Sequence, residues 1–408
     1  MSTKGSGTAS YWPEGPIAEG PLAGVRVLDF SRILAGPYAT MHLADLGADV
    51  IKVEAPGRGD ETRHWGPPFA ADGTASYFMA VNHGKRSVEL DLADPDDAAI
   101  AFSLAVEADI VIDNFLPGRM ERFGLDRESL ARVNSNVITA TVSGFGGGNA
   151  YSGRPGFDFL AQAMGGLMSV TGQKGGEPTR VGVAVTDLLA GVLCATGVLA
   201  ALSATRLGEP GRHVEVSLLD TQISMLANIG SGWLTSGVYP DRFGNQHPSI
   251  APYETLSTAD KPLAVAVGTD RQFQRFAAAL GAPELGSDFR FATNGNRVLN
   301  REALVESLEA VLTTRSRDEW LELLISADVP VAPVNSVPEA LDDPVVRERM
   351  VEEVGGVPQI RTAINLDGKP LGIRSAPPRL GADSCDIREH VRLHRERALA
   401  TGVSGTSL

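Results

Sequence analysis

Residues 24–54, GVRVLDFSRILAGPYATMHLADLGADVIKVE, decide the fold. GVRVLDF is a short apolar, β-branched run suited to a central strand. SRILAGPYATMHLADLGA then places apolar residues at helical spacing and stops at Gly47, and DVIKVEAP is a second strand ended by Pro56. The alternation continues. SVELDL (87–92) is a strand, and PDDAAIAFSLAVE (95–107) is a helix with Pro95 at its start and acids in its first turn. DIVIDNF (109–115) is a strand, DRESLARVN a helix and VITATVSGF (137–145) a strand. Strands alternating with helices predict an α/β domain around a parallel sheet covered on both faces.

Beyond this core, a long helix is predicted from about Asp187 to Arg206, followed by the strand HVEVSLLD. Periodicity is lost over 220–250, which is rich in Gly, Asn and Ser. Residues 251–330 read as a second module with short strands and several helices. VPVAPVNSVPEAL (329–341) is punctuated by proline, as an extended linker would be. The first 21 residues lack the apolar stretch of a signal peptide and read as a flexible arm.

The chain has 408 residues, with 36 Lys plus Arg against 50 Asp plus Glu, a formal charge of −14. Hydrophobic residues at 43% and charged residues at 21% exclude wholesale disorder. An acidic chain is a poor general binder of nucleic acid, so an anionic ligand must be held by a few local cations or backbone N–H groups. Cys194 and Cys385 form no redox or metal motif, and a reducing, cytoplasmic compartment is expected. The apolar run Leu188–Leu202 is shorter than a membrane span and reads as a core helix, so no membrane partner is expected.

Known motifs are mostly missing. There is no G-x-G-x-x-G after the first strand, no P-loop and no G-x-S-x-G, and GFGGG (144–148) leads into a loop rather than a helix. Of seven histidines only His390 and His394 have helical i,i+4 spacing, without the surrounding pattern of a metal site. The notable acid is Asp187, inside VGVAVTDLLAGVLCATGVLAAL. Two readings stand. It is the N-cap of the helix that follows, or it is a carboxylate kept ionised by the helix N-terminus and able to attack an activated carbonyl.

Nearly the whole chain, about 22–385, resembles the class III CoA-transferase family, which includes formyl-CoA and carnitine CoA-transferases and the α-methylacyl-CoA racemases. The resemblance rests on ordered stretches. They are PLAGVRVLDFSRILAGPYATMHLADLGADVIKVE with GDETR, YFMAVNHGKRSVELDL, DIVIDNFLPGRMERFGL, RPGFDFLAQAMGGLMSVTG, VGVAVTDLLAG and GNQHPSIAPY. It implies that Asp187 is the nucleophile, passing through aspartyl anhydride and aspartyl-CoA thioester intermediates. It also implies that coenzyme A is a substrate and that no cofactor is bound permanently. Arg32, Leu34 and Ala35 match a segment bordering CoA. Leu90, Asn114, Phe115 and Arg122 match positions at its adenine and phosphate end. Tyr77 aligns with an active-site aromatic, and Gly244, Asn245, Gln246 and His247 match a mobile substrate loop.

Leu34 replaces the glutamine of formyl-CoA transferases, and the 244–247 loop is not glycine-rich as theirs is, which argues against formate or oxalate. The racemases carry His-Asp where this chain has Phe157-Asp158, and a phenylalanine transfers no proton. The transferase branch is therefore expected, with racemase or a catalytically silent CoA-binding protein as alternatives. GNQHPSIAPYETL and RVGVAVTDLLAG look most like the succinyl-CoA-dependent dicarboxylate branch, with glutarate, mesaconate or citramalate as acceptors. Arg180, Arg242 and His247 are candidates for the second carboxylate. The family also implies an architecture: a Rossmann-like large domain (22–219 and 342–408), linkers at 220–244 and 329–341, an inserted small α+β domain (245–328) and an interlocked homodimer.

Overall fold

The computed structural model describes residues 10–15 and 19–400. The chain divides into two compact units, Met1–Gly166, Val181–Gly230 and Arg347–Leu408 forming one, Leu167–Arg180 and Ser231–Val346 the other. The second unit takes in 167–180, a stretch that the sequence reading assigns to the large domain.

The first unit is built on six strands: β1 (Arg26–Asp29), β2 (Asp49–Glu54), β3 (Lys85–Glu89), β4 (Ile110–Asp113), β5 (Ile138–Ser143) and β6 (His213–Ser217). All neighbours pair in parallel, in the order β3-β2-β1-β4-β5-β6. The strand order reverses between β1 and β4, and such a switch point leaves a crevice at the carboxyl ends of the strands. Alternate residues feed two cores, as the pleat requires. Val27, Val50, Ile110 and Ile138 pack against Ala190, Cys194 and Val198 on one face, while Leu28, Ile51 and Val111 pack against Ile100, Leu104, Ile387 and Val391 on the other.

The helix Val185–Arg206 is long and apolar enough to cross a membrane by length and composition. Here it lays Ala190, Cys194, Val198, Ala201 and Leu202 into the first core, one stripe at helical spacing. In the second unit, β7 (Tyr253–Leu256), β8 (Leu263–Ala266) and β9 (Val331–Pro333) form an antiparallel sheet over a core that includes Phe273, Phe276, Leu304, Leu308 and Trp320.

Three expectations change. The 220–244 segment is helical over most of its length, in Leu218–Ser224 and Ala227–Ser236. Residues 329–341 are no simple linker, because β9 pairs with β8; Pro330 and Pro333 are tolerated because β9 is an edge strand. Of the proposed arm, residues 1–9 and 16–18 lie outside the described residues, but Ser10–Trp12 is docked. Trp12 is buried and donates its indole N–H to Asp49 at 2.8 Å, and Glu107 accepts from the Tyr11 N–H at 2.6 Å.

Candidate active site

The carboxyl ends of β1, β4 and β5 open into a cavity of about 380 Å³ in the first unit. Arg32, Leu34, Ala35, Asn114, Phe115, Phe157 and Asp187 line it. A smaller cavity of about 190 Å³ lies over the ends of β2 and β3 and includes Leu90. The two share Arg32, Phe115 and Arg119, so they adjoin as two parts of a groove across the switch point.

Close backbone approach brings the walls together. A Cβ on Gly191 would lie 2.6 Å from the Ala35 carbonyl oxygen, so the glycine one turn after Asp187 lets the long helix rest on the start of the helix Ala35–Asp45. That helix has no side-chain cap, and the N–H groups of Ala35 and Gly36 have no acceptor among the described residues. The spacing Asp-x-x-x-Gly thus places a carboxyl group and the free N–H of Ala35 at one cavity. Gly144 and Gly156 cross with equal intimacy, since a Cβ on either would sit within 2.4 Å of the other's Cα.

Asp187 is the third residue of its helix, and Ala184 holds the N-cap position. The N-cap reading is therefore corrected: the cap comes from a different helix. Asp158 accepts from the Thr186 N–H at 2.8 Å and, at the limit, from the Asp187 N–H at 3.4 Å. Its other oxygen accepts from Gln162 at 2.6 Å, and Gln162 accepts the Val181 N–H at 2.9 Å. With the helix end taken by Asp158, the Asp187 carboxyl has no hydrogen-bonding or cationic partner among the described residues. Burial first, and the Asp158 charge second, push it up to about 7. The helix end, expected from sequence to hold this carboxylate, gives its N–H groups to Asp158 instead. Asp187 is instead a poorly solvated carboxyl near half ionisation at neutral pH.

Tyr77 stands close by. It packs with Leu188 against Leu34, sets its ring edge-on to the cavity residue Trp65 at 5.4 Å, and has its hydroxyl pushed up by burial and by Asp187. Asn114 exchanges two hydrogen bonds with the backbone of Arg32, at 2.9 and 2.6 Å, and so clamps the β1 loop to the β4 loop. Arg32 pairs with Glu61 at 2.7 Å and lies over Phe115. Arg122 lines neither cavity. It sits in the short helix Arg119–Arg122, and Arg119 is the member that faces the groove, with its guanidinium 5.2 Å from the Phe115 ring. Helical rotation decides this, and local sequence does not reveal which arginine faces inward.

Beneath the groove lies a buried charge network. Lys52 is fully buried, pairs with Asp60 at 3.0 Å and donates to the Ser31 carbonyl at 2.7 Å. Asp60 also accepts the Ile33 N–H. Lys85 donates to Asp29, Pro37 and Asn82, yet burial pushes it down to about 8. Glu54 holds Arg63 by two hydrogen bonds at 2.7 and 2.8 Å. The network supports a strained loop: Ile33, which lines the cavity, has φ 72°, a left-handed conformation costly for a β-branched residue.

Gly244, Asn245 and His247 belong to the second unit, where Asn245 and His247 line a separate cavity of about 860 Å³ with Glu254 and Arg301. Arg242 is committed there to the carbonyls of Ser169 and Gly176. Sequence reasoning missed Glu61, Trp65, Arg119 and Arg154 as cavity residues. Arg154 and Glu61 lie in stretches that carry the resemblance, but nothing local marks them as facing the cavity.

Comparison with known proteins now adds identity. A family model described as CoA-transferase family III matches residues 22–384. A succinate–glutarate CoA-transferase of Agrobacterium fabrum is 41% identical over 91% of this chain and 96% of its own length. An acetyl-CoA:oxalate CoA-transferase of Acetobacter aceti is 39% identical over 86% and 90%. Among solved structures, a CaiB/BaiF family protein from Brucella suis superposes with a TM-score of 0.85 at 42% identity, covering 91% of this chain and 99% of that one. The chain belongs to CoA-transferase family III.

Proposed function

We propose that this enzyme moves CoA from an acyl-CoA thioester, with succinyl-CoA as the favoured donor, to a free dicarboxylic acid, using Asp187 as nucleophile. The observation that carries the reading is the unpartnered Asp187 carboxyl at the wall of a groove that runs on over the ends of β2 and β3. In this reading the carboxylate attacks the thioester carbonyl, the C–S bond breaks and CoA thiolate leaves, giving a mixed anhydride. The thiolate then attacks the Asp187 carbonyl, releasing the donor acid and forming an aspartyl-CoA thioester. The acceptor carboxylate attacks this thioester, and the thiolate takes the acceptor's acyl group from the second anhydride, freeing Asp187. A raised pKa suits the role, because the basic, desolvated carboxylate breaks no hydrogen bond before it reacts. The free N–H of Ala35, a residue of the same cavity, is the donor offered to the oxyanion.

CoA lies along the groove, with Leu90 and Phe115 toward the adenine end and Arg32 and Arg119 toward the phosphates. It enters as substrate, and no permanent cofactor is required. The similarity to a succinate–glutarate transferase supports a dicarboxylate acceptor, while the oxalate-acting relative leaves chain length to experiment. Phe157, exposed at the cavity, supplies no second base and counts against racemisation. A homodimer is part of the reading, since the long helix leaves Val192 and Leu193 exposed opposite its buried stripe. A cytoplasmic location, without nucleic-acid or membrane partners, completes it.

The test is a panel: succinyl-CoA with glutarate, mesaconate, citramalate, oxalate and formate, following each new thioester. Transfer to the longer dicarboxylates is expected, and exclusive use of formate or none of the acids contradicts the reading. The pH profile is a second test. Only ionised Asp187 attacks, so kcat/KM should fall about tenfold per unit on acidification below about pH 7. Asp158→Asn removes the like charge while its amide oxygen still accepts from Thr186, so this limb should move to lower pH. An unmoved limb would show that Asp158 does not tune Asp187.

A further inference from the structure

The Asp187 cavity holds three arginines, Arg32, Arg119 and Arg154, and two acids, Glu61 and Asp187. Arg32 is neutralised by Glu61. Arg119 and Arg154 have no acidic partner among the described residues. They differ in place: Arg119 is shared with the smaller cavity over β2 and β3, whereas Arg154 lines only the Asp187 cavity. A CoA thioester of a dicarboxylic acid is anionic at both ends, with phosphates on one side of the thioester and a free carboxylate on the other. The two unpaired cations match these two charges in number, one common to both cavities and one confined to the Asp187 cavity.

Resting on the dicarboxylate reading, we propose that Arg154 forms the subsite for the distal carboxylate of the acyl group and so sets the preference for diacids. Its position is built. Asn149 and Ser152 lock the preceding turn through hydrogen bonds at 2.8 and 2.7 Å, and Asn149 also accepts the Tyr151 N–H at 2.7 Å. The Arg154 N–H closes onto the Tyr151 carbonyl at 2.9 Å, and its guanidinium lies 4.6 Å from the Tyr151 ring. Stacking orients the planar fork without consuming its charge. The same segment continues through Pro155, Gly156 and Phe157 to Asp158, which holds the backbone beside Asp187. Of the other cations considered from sequence, Arg180, Arg242 and His247 belong to the second unit, and Arg242 is occupied by backbone carbonyls.

The test compares glutarate with its monomethyl ester as acceptors, each with succinyl-CoA, in wild type, Arg154→Met and Arg154→Lys. The two acids share chain and reacting carboxylate and differ in the distal charge. Wild type should prefer glutarate in kcat/KM by roughly 10- to 100-fold, as expected for a charge-assisted pair. In Arg154→Met the ratio should collapse toward one through loss on glutarate, and Arg154→Lys should retain an intermediate ratio. The ratio is internal to each variant, so a general loss of activity does not mimic the result. A wild-type ratio near one, or an undiminished ratio in Arg154→Met, overturns the subsite while CoA transfer itself stands. No transfer to any dicarboxylate by wild type would contradict the function reading and the subsite together.

Discussion

Asp187→Ala is expected to keep the fold and CoA binding while losing transfer by roughly ten-thousand-fold or more, the scale seen when a covalent nucleophile is removed. The structure attaches a second, opposite effect to the same position. The folded state raises Asp187 from 3.8 to about 7. A carboxyl raised on folding contributes no penalty below pH 3.8, where both states are protonated, and the penalty grows as pH rises toward 7 and is full above it. Asp187→Asn should therefore be more stable than wild type at pH 8, with the advantage fading as pH falls toward 4. At about 1.36 kcal/mol per pKa unit the ceiling is about 4 kcal/mol, and access to cavity water lowers it. Denaturant titrations at pH 5 and 8 measure it. Loss of stability in the Asn variant at pH 8 would contradict the unpaired state of this carboxyl.

Lys52→Met should be the most damaging change outside the reacting group. It removes the partner of Asp60 and the donor to Ser31 O, both sealed from water. Breaking one side of such a pair costs about 3–5 kcal/mol, because the remaining charge stays buried. Asp60 also holds the Ile33 N–H, so the left-handed Ile33 loses its support and the cavity wall formed by Arg32–Ala35 relaxes. The expected signature is a large fall in unfolding midpoint with a rise in KM for the acyl-CoA donor. Asp60→Asn in the same chain should recover part of the loss, since it removes the orphaned charge. A cost below about 1 kcal/mol would mean that the pair does not carry the loop.

The parallel sheet was legible because its strands are apolar runs separated by helices at regular spacing, and helix 95–107 matches the sequence reading at both ends. Two segments misled for opposite reasons. The helices Leu218–Ser224 and Ala227–Ser236 carry Gly, Ser and Thr residues that weaken periodicity, and β9 is preceded by Pro330 and ends on Pro333, which only an edge position tolerates. At the site, Asp187 stood out as an acid inside an apolar run, but its protonation did not. Whether a helix end stabilises an acid depends on who else occupies that end, and Asp158 arrives from 29 residues away. Arg119 and Arg154 were hidden likewise. An arginine looks the same on a surface and at a cavity wall until the acids around it are placed.

The most direct measurement is to incubate the enzyme with succinyl-CoA, quench with hydroxylamine and sequence the modified peptide by mass spectrometry. A hydroxamate confined to Asp187, absent without donor, is the predicted result. Rapid CoA exchange with no modification of that residue, or modification at another carboxyl, would contradict the account.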